Sequence, residues 1–288
     1  MDETRKIGVV EFDSEDYPAQ LRLIKDPPEK LYYIGDLQLA SREAVSVVGS
    51  RKASPYGGWA AEEISRRLAA SGLVVVSGMA AGIDSISHKG ALAAGGATVA
   101  VLGCGIDICF PAFNRNLRNE IGKKGLLLSE YPPGVPGSRY TFPQRNRIIS
   151  GLSLATVIVE AGVNSGSLIT AERAVEQGRQ VFALPGNINS FYSIGTNKLI
   201  QDGAYPLAFI DDIFDVLGLP KKDQQQRISG LGVEEQRMVE AVCQGGEVTV
   251  DSLCRTLGMK VWEVNSLLTI LEMKGVVYSA LGKIFIAN

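Results

Sequence analysis

Three glycine-containing turns and one arginine-rich run carry the residue types and spacings that could do chemistry in this chain. In the first turn, Gly49-Ser50-Arg51 leads on to Ser54-Pro55-Tyr56-Gly57-Gly58. Ser54 suits the N-cap of a helix and Pro55 its first position. The two glycines would clear the helix's first turn so that an anion can reach its free backbone N–H groups, and Arg51 adds a bidentate charge. In the second, Gly78-Met79-Ala80-Ala81-Gly82-Ile83-Asp84, the chain turns on two glycines and Asp84 is placed to cap the next helix. In the third, Asn164-Ser165-Gly166-Ser167 sets small hydroxyls ahead of LITAERAVEQ, with Ser167 as the expected cap. Each turn alone is weak evidence, because doubly wound proteins use such turns for steric reasons. Together they point to a phosphate-bearing ligand.

The run Ser138-Arg139-Tyr140-Thr141-Phe142-Pro143-Gln144-Arg145-Asn146-Arg147 follows the loop PPGVPG. Arginines that track a backbone and an aromatic that stacks a base are what single-stranded nucleic acid requires. The plainer reading is a solvated helix start with Phe142 in the core and Tyr140 in the core or at its rim. Presentation by a Pro-rich loop favours the binding reading. Arg51, Arg139 and Arg145 are therefore expected on phosphates, and Phe142 on a base.

Catalytic chemistry finds little to work with. His88, the single histidine, lies four residues after Asp84 and is expected to be packed or capping. Glu160 ends a strand and is expected to face the ligand crevice, on a ribose or base, or to orient the Asn164 loop. GSRKASPYGG matches neither the Gly-x-Gly-x-x-Gly nor the Gly-x-x-x-x-Gly-Lys-Ser/Thr pattern, and Gly103-Cys104-Gly105 is too short a signal. No cofactor, metal or catalytic residue is expected. Four cysteines without a Cys-x-x-Cys pair read as reduced and mostly buried.

The elements that must position these residues follow from periodicity. AVSVVG, LVVVSG, ATVAVLG, GLLLSE, LATVIVE, RQVFALPG and AYPLAF are short apolar runs with little alternation, as strands buried on both faces should be. Helical segments that close on glycine separate them. The fold class is α/β, an extended Rossmann-like, doubly wound, mostly parallel sheet. It is expected over residues 1–217, with 1–43 as an N-terminal extension containing the strand LYYIGD. Residues 218–231 read as a linker. Residues 232–288 give three short helices and a two-strand hairpin, the order of a small winged helix.

The 288 residues include 29 basic and 31 acidic ones, and the balance holds on both sides of Pro220 (21 against 23, then 8 against 8). Neither part is a basic block for coating duplex DNA, so any nucleic-acid charge must be local. No apolar run is long enough for a membrane span and the start lacks a signal peptide's apolar stretch, so a cytoplasmic protein is expected.

Tyr17-Pro18…Leu21, Asp26-Pro27-Pro28, Gly49-Ser50-Arg51, Gly78-Met79-Ala80-x-Gly82-Ile83-Asp84 and Phe110-Pro111-x-x-Asn114 stand in order along the chain. They are followed by Ser129-Glu130-Tyr131-Pro132, Phe142-Pro143-x-Arg145-Asn146-Arg147, Glu160-Ala161, Ser165-Gly166-Ser167-Leu168-Ile169-Thr170-Ala171 and Pro185-Gly186. This series, from about Tyr17 to Leu217, resembles the DprA/Smf family of DNA-processing proteins of bacterial transformation. The resemblance implies binding of single-stranded DNA, a homodimer, and help in loading the recombinase RecA. It also implies that the N-terminal helical domain of some members is missing. From the turns and the arginine run, the DNA and its phosphates are expected on Gly49, Ser50, Arg51, Gly78, Gly82, Arg139, Phe142, Arg145, Asn146, Arg147, Ser165, Gly166 and Ser167. Two positions depart from the family pattern: Ala81, where arginine is frequent, and Ser87, where alanine is common. The alternative is a nucleotide-processing hydrolase resembling phosphoribohydrolases, with Glu160 and Glu172 as its candidate acids. A winged-helix transcription regulator is the weakest reading, because VWEVNSLLTILEMK is apolar and acidic where base readers are polar and basic.

Overall fold

A computed structural model describes residues 7–219, 231–245, 248–274, 276–280 and 282–286. The chain divides into two compact units, Met1–Leu219 and Pro220–Asn288. Most of the linker expected over 218–231 lies outside the described residues.

The first unit is built on strands β1 (Gly8–Glu11), β2 (Lys30–Gly35), β3 (Ala44–Val48), β4 (Val74–Ser77), β5 (Thr98–Leu102), β6 (Leu126–Ser129), β7 (Ala155–Ile158), β8 (Gln180–Ala183) and β9 (Tyr205–Pro206). They form one sheet in the order β1-β2-β6-β5-β4-β3-β7-β8-β9. All neighbours pair in parallel except β2, which is antiparallel to both β1 and β6. The fold is therefore the expected extended, mostly parallel α/β sheet. The edge strand β1 is an addition that four residues of GVVE do not announce.

Helices α1 (Ala19–Arg22), α2 (Pro55–Ala70), α3 (Ile83–Ala93), α4 (Arg115–Lys124), α5 (Thr141–Gly151), α6 (Gly166–Glu176), α7 (Ile194–Gln201) and α8 (Asp212–Leu217) complete this unit. Every residue of β3 to β7 is buried, which explains their continuous apolar character. Alternation survives inside the core. Val74 and Val76 cluster with Ile148 and Ile149 of α5 and Ala171 of α6, while Val75 between them clusters with Ile64 and Leu68 of α2.

Strand order reverses beside β3. The chain leaves β3 for β4 on one side, whereas β7 enters on the other side and continues to β8. The carboxyl ends of β3 and β7 thus flank a topological switch point, where open α/β sheets bind ligands.

The second unit contains α9 (Val233–Gly245), α10 (Val250–Leu257), α11 (Val261–Met273) and an antiparallel pair, β10 (Val277–Ala280) and β11 (Lys283–Ile286). Met238, Val242, Leu253, Val264, Leu268 and Leu271 share its core. Among the described residues no helix is long and apolar enough to cross a membrane.

Candidate nucleic-acid interface

A crevice of about 370 Å³ opens at the switch point, lined by Gly49 and Arg51 after β3, Ala80 and Asp84 before and within α3, Phe142, Arg145 and Asn146 of α5, and Ser165, Gly166, Ser167 and Thr170 at the start of α6. Its walls are set by local contacts that differ in kind from turn to turn.

In the first turn Ser54 is the N-cap, its side chain accepting from the Gly57 N–H at 3.0 Å, and Pro55 opens α2. The expected room for an external anion is absent there. The Glu160 carboxylate is buried against the turn, accepting the Ser54 N–H at 3.0 Å on Oε2 and the Ser54 hydroxyl on Oε1. A Cβ on Gly57 would overlap that carboxyl group. Glycine at 57 therefore makes space for the protein's own anion at the positive end of α2. Glu160 faces this helix start and not the ligand crevice, which corrects its expected role on a ribose or base. Ser50 closes the preceding turn on itself, accepting the Lys52 N–H at 3.1 Å and donating to the Lys52 carbonyl at 2.9 Å.

The second turn holds a buried polar network. Gly82, at φ +73°, is the N-cap residue of α3, so the expected capping by Asp84 is not what occurs. Asp84 instead turns back, accepting from the Ala80 N–H at 3.4 Å. Arg145 is 4% exposed and donates through Nη1 to the carbonyls of Gly78, at 2.7 Å, and Val101. A Cβ on Gly78 would stand 2.7 Å from both Arg145 Nη2 and Asp84 Oδ2, so glycine is required where these two groups meet. Burial raises the Asp84 carboxyl above its ordinary pKa against the pull of Arg145, and burial lowers Arg145 to about 10. His88 is fully buried beyond them. The Thr98 hydroxyl lies 2.7 Å from His88 Nδ1 and donates to the Val75 carbonyl at 2.7 Å, so the imidazole must be the donor in the first bond. Burial first, and Arg145 second, hold the His88 pKa down at about 3. It is a packed, neutral histidine.

The arginine run divides. Arg147 is nearly buried and bidentate on Glu130, at 2.5 and 3.0 Å, with Nε donating to the Asp26 carbonyl at 2.9 Å. It ties α5 to the strand end after β6 and does not line the crevice. Arg139 is exposed outside it, its guanidinium 4.8 Å from the Tyr140 ring centre and bonded to the Tyr140 hydroxyl at 2.6 Å. Tyr140 is 69% exposed, so it belongs to neither core nor rim packing. Phe142 is half-buried between Gly103 and Gly137, with the Arg51 guanidinium 5.4 Å from its ring centre.

In the third turn Ser165, not Ser167, is the cap, accepting from the Ser167 N–H at 3.4 Å. Two hydroxyls spaced to serve either position give no local means of choosing. Asn146 donates to the Gly166 carbonyl at 3.1 Å and so fastens α5 to the start of α6. A Cβ on Gly166 would meet nothing within 4 Å, so the helix start is open. Thr170, buried and lining the crevice, was not singled out by sequence reasoning. Its signal was available: it follows Gly166 and Ser167 by about one turn on the same helix face.

Of the thirteen expected positions, the crevice thus gathers Gly49, Arg51, Phe142, Arg145, Asn146, Ser165, Gly166 and Ser167. Ser50, Gly78 and Gly82 shape its turns from outside the lining, and Arg139 and Arg147 lie elsewhere.

A doubly wound sheet with a cationic and aromatic crevice at its switch point defines a class of ligand-binding α/β proteins. Within that class the chain belongs to the DNA recombination-mediator protein A family, whose model matches residues 8–218. It is 47% identical over 188 residues to the DNA processing protein DprA of Streptococcus pneumoniae, covering 65% of this chain and 66% of that one. The chain thus spans just under two thirds of that relative's length. The X-ray structure of the pneumococcal protein matches with a TM-score of 0.70 and 43% identity, over 73% of this chain and 74% of the other. The structure of DNA processing protein A from Helicobacter pylori, described for its single-stranded DNA binding mode, matches with a TM-score of 0.68 and 32% identity, over 75% and 98% of the two chains.

Proposed function

We propose that the chain binds single-stranded DNA at the switch-point crevice and acts as a recombination mediator without turnover. In this reading it protects single strands and passes them to the RecA recombinase, working as a homodimer in the cytoplasm. One observation carries the proposal: exposed Arg51, half-buried Phe142 and the open start of α6 converge on one crevice. Those are a cation for phosphate, a ring for a base and the open, positive end of a helix for a second phosphate. The single-strand binding of the Helicobacter relative supports the same ligand.

The hydrolase alternative needs a glutamate and an arginine on a bound nucleotide. Glu160 is held by Ser54, and Glu172 lines a separate groove with Val163 and Ile194. That placement favours binding without catalysis. The unit from 232 to 288 is read as a winged helix, and its third helix exposes Val261, Trp262, Ile270 and Met273. An apolar face with balanced charge suits a protein contact better than DNA, so the strand is assigned to the first unit.

Filter binding with single-stranded and duplex DNA of one sequence tests the proposal. Single strands should bind more tightly, with a salt dependence set by the few phosphates contacted. Equal or absent binding to single strands would end this reading.

A further inference from the structure

We infer a second base-stacking subsite, outside the crevice, formed by Phe110 and Phe113 on the loop between β5 and α4, and taking unpaired bases of a strand whose adjoining nucleotide sits in the crevice. The inference rests on the single-strand reading of the crevice. A volume near 370 Å³ suits one drug-sized group, so the neighbouring bases of a longer strand need other surfaces. Phe142 offers little more. Its ring is slotted so tightly that a Cβ on Gly103 or Gly137 would lie 2.6 Å from it, and Arg51 already stands over it.

The next ring outward is Phe110. Its centre lies 5.1 Å from that of Phe142 with the planes tilted by 33°, and it is 49% exposed. Arg51, Phe142 and Phe110 therefore form a continuous series from the crevice to the surface. Phe113 follows three residues later at 73% exposure, and exposed Arg115 comes two residues after it at the start of α4.

A single exposed phenylalanine needs no explanation, but this loop is built to keep two of them out. Its backbone is anchored ahead of Phe110: the Gly105 N–H donates to the Val135 carbonyl at 2.7 Å, and Arg118 donates to the Ile106 carbonyl at 2.5 Å. Buried Asn114, next to Phe113, donates to the Met79 carbonyl at 3.1 Å and to the Ser85 hydroxyl at 2.7 Å. A loop held in this way has less backbone freedom to lose when a base stacks on its rings. Continuity with the crevice and flanking by Arg51 and Arg115 favour a nucleic-acid strand over an apolar protein surface.

The experiment measures affinity for thymidine oligomers in wild type, Phe113→Ala, Phe113→Trp and Arg51→Ala. Phe113→Ala should weaken binding of a strand of about twenty nucleotides by roughly 5- to 150-fold, the range for one base–aromatic stack, and leave a dinucleotide unaffected. Its salt slope should stay at the wild-type value, since no phosphate contact is removed. Phe113→Trp should restore affinity, with its emission quenched by the strand. If Phe113→Ala binds the long strand normally while Arg51→Ala does not, the subsite is wrong and the crevice reading stands. A Phe113→Ala defect confined to self-association, seen by sedimentation, also overturns it. If wild type binds no single strand, the crevice reading fails and takes this inference with it.

Discussion

The floor and the rim of the crevice use the same side chain for opposite purposes. On the floor, Arg145 Nη1 donates to the carbonyls of Gly78 and Val101, and the guanidinium faces Asp84 across a glycine. At the rim Arg51 is exposed and stands over the Phe142 ring, and Arg139, outside the crevice, is exposed against the Tyr140 ring. A buried arginine whose Nη1 is committed to two carbonyls is fixed in place, and its removal strands its partners. An exposed one is hydrated and surrounded by counterions, so a phosphate can replace them at small cost. The floor therefore holds the ends of β4 and β5 together, and the proposed function assigns recognition to the rim.

The largest expected effect tests the floor. Arg145→Ala would leave Asp84 without its countercharge and two buried carbonyls without a donor. A loss of about 3–5 kcal/mol of folding stability is expected, read as a lower denaturant midpoint. If the variant instead keeps its stability and loses only DNA affinity, floor and rim have been assigned the wrong way round.

At the rim the signs reverse. Arg51→Ala should leave stability within about 0.5 kcal/mol of wild type, as exposed substitutions do. Its affinity for single strands should fall by about 1.5–3 kcal/mol, the range for a hydrogen bond to a charged group. The slope of log affinity against log salt should become shallower by about 0.7. An unchanged slope in the folded variant would remove Arg51 from the site.

Acid should separate the two regions as well. The His88 pKa is about 3 in the folded chain against an ordinary 6.5. Between those values the unfolded chain binds a proton that the folded chain excludes, so stability falls as pH drops through that window. The slope reaches at most about 1.4 kcal/mol per pH unit. Asp84, raised by burial, contributes with the opposite sign above its ordinary value of 3.8. Comparison with His88→Asn, which can still donate to Thr98, cancels the Asp84 share. The variant should lose less stability than wild type between pH 6.5 and 5, measured by urea unfolding. Parallel curves would mean that His88 is not held neutral.

How much of this was legible in sequence depends on the distance between partners. The strands β3 to β9, the Ser54-Pro55 helix start and the packed His88 rest on neighbours in the chain or on hydrophobic pattern, and they could be read. The occupation of α2's start by Glu160 could not, because its carboxylate arrives from 106 residues away. Arg145 and Arg147 look alike in sequence, yet one is taken up by the ends of β4 and β5 and the other by Glu130. Glycines at 57 and 78 look like room for a ligand and are filled by the protein's own charged groups. Burial of a charge is decided by topology, and local pattern does not carry it.

The smallest expected effect belongs to Arg139. It is exposed, it stands outside the crevice, and its nearest partner is the Tyr140 ring and hydroxyl. A strand crossing the rim can meet this guanidinium as one more mobile countercharge, with no carbonyl or carboxylate fixing its direction. Arg139→Ala should therefore weaken single-strand binding only a few-fold at low salt. The difference should vanish as the Debye length shrinks from about 10 Å at 0.1 M salt toward about 3 Å at 1 M. Thermal stability should not move. The measurement is a salt titration of Arg139→Ala and Arg51→Ala side by side. If Arg139→Ala costs as much as Arg51→Ala and the loss persists at high salt, Arg139 makes a fixed contact. The site would then extend past the crevice on the α5 side, and the rim would be a second binding surface in place of a screened approach to the first.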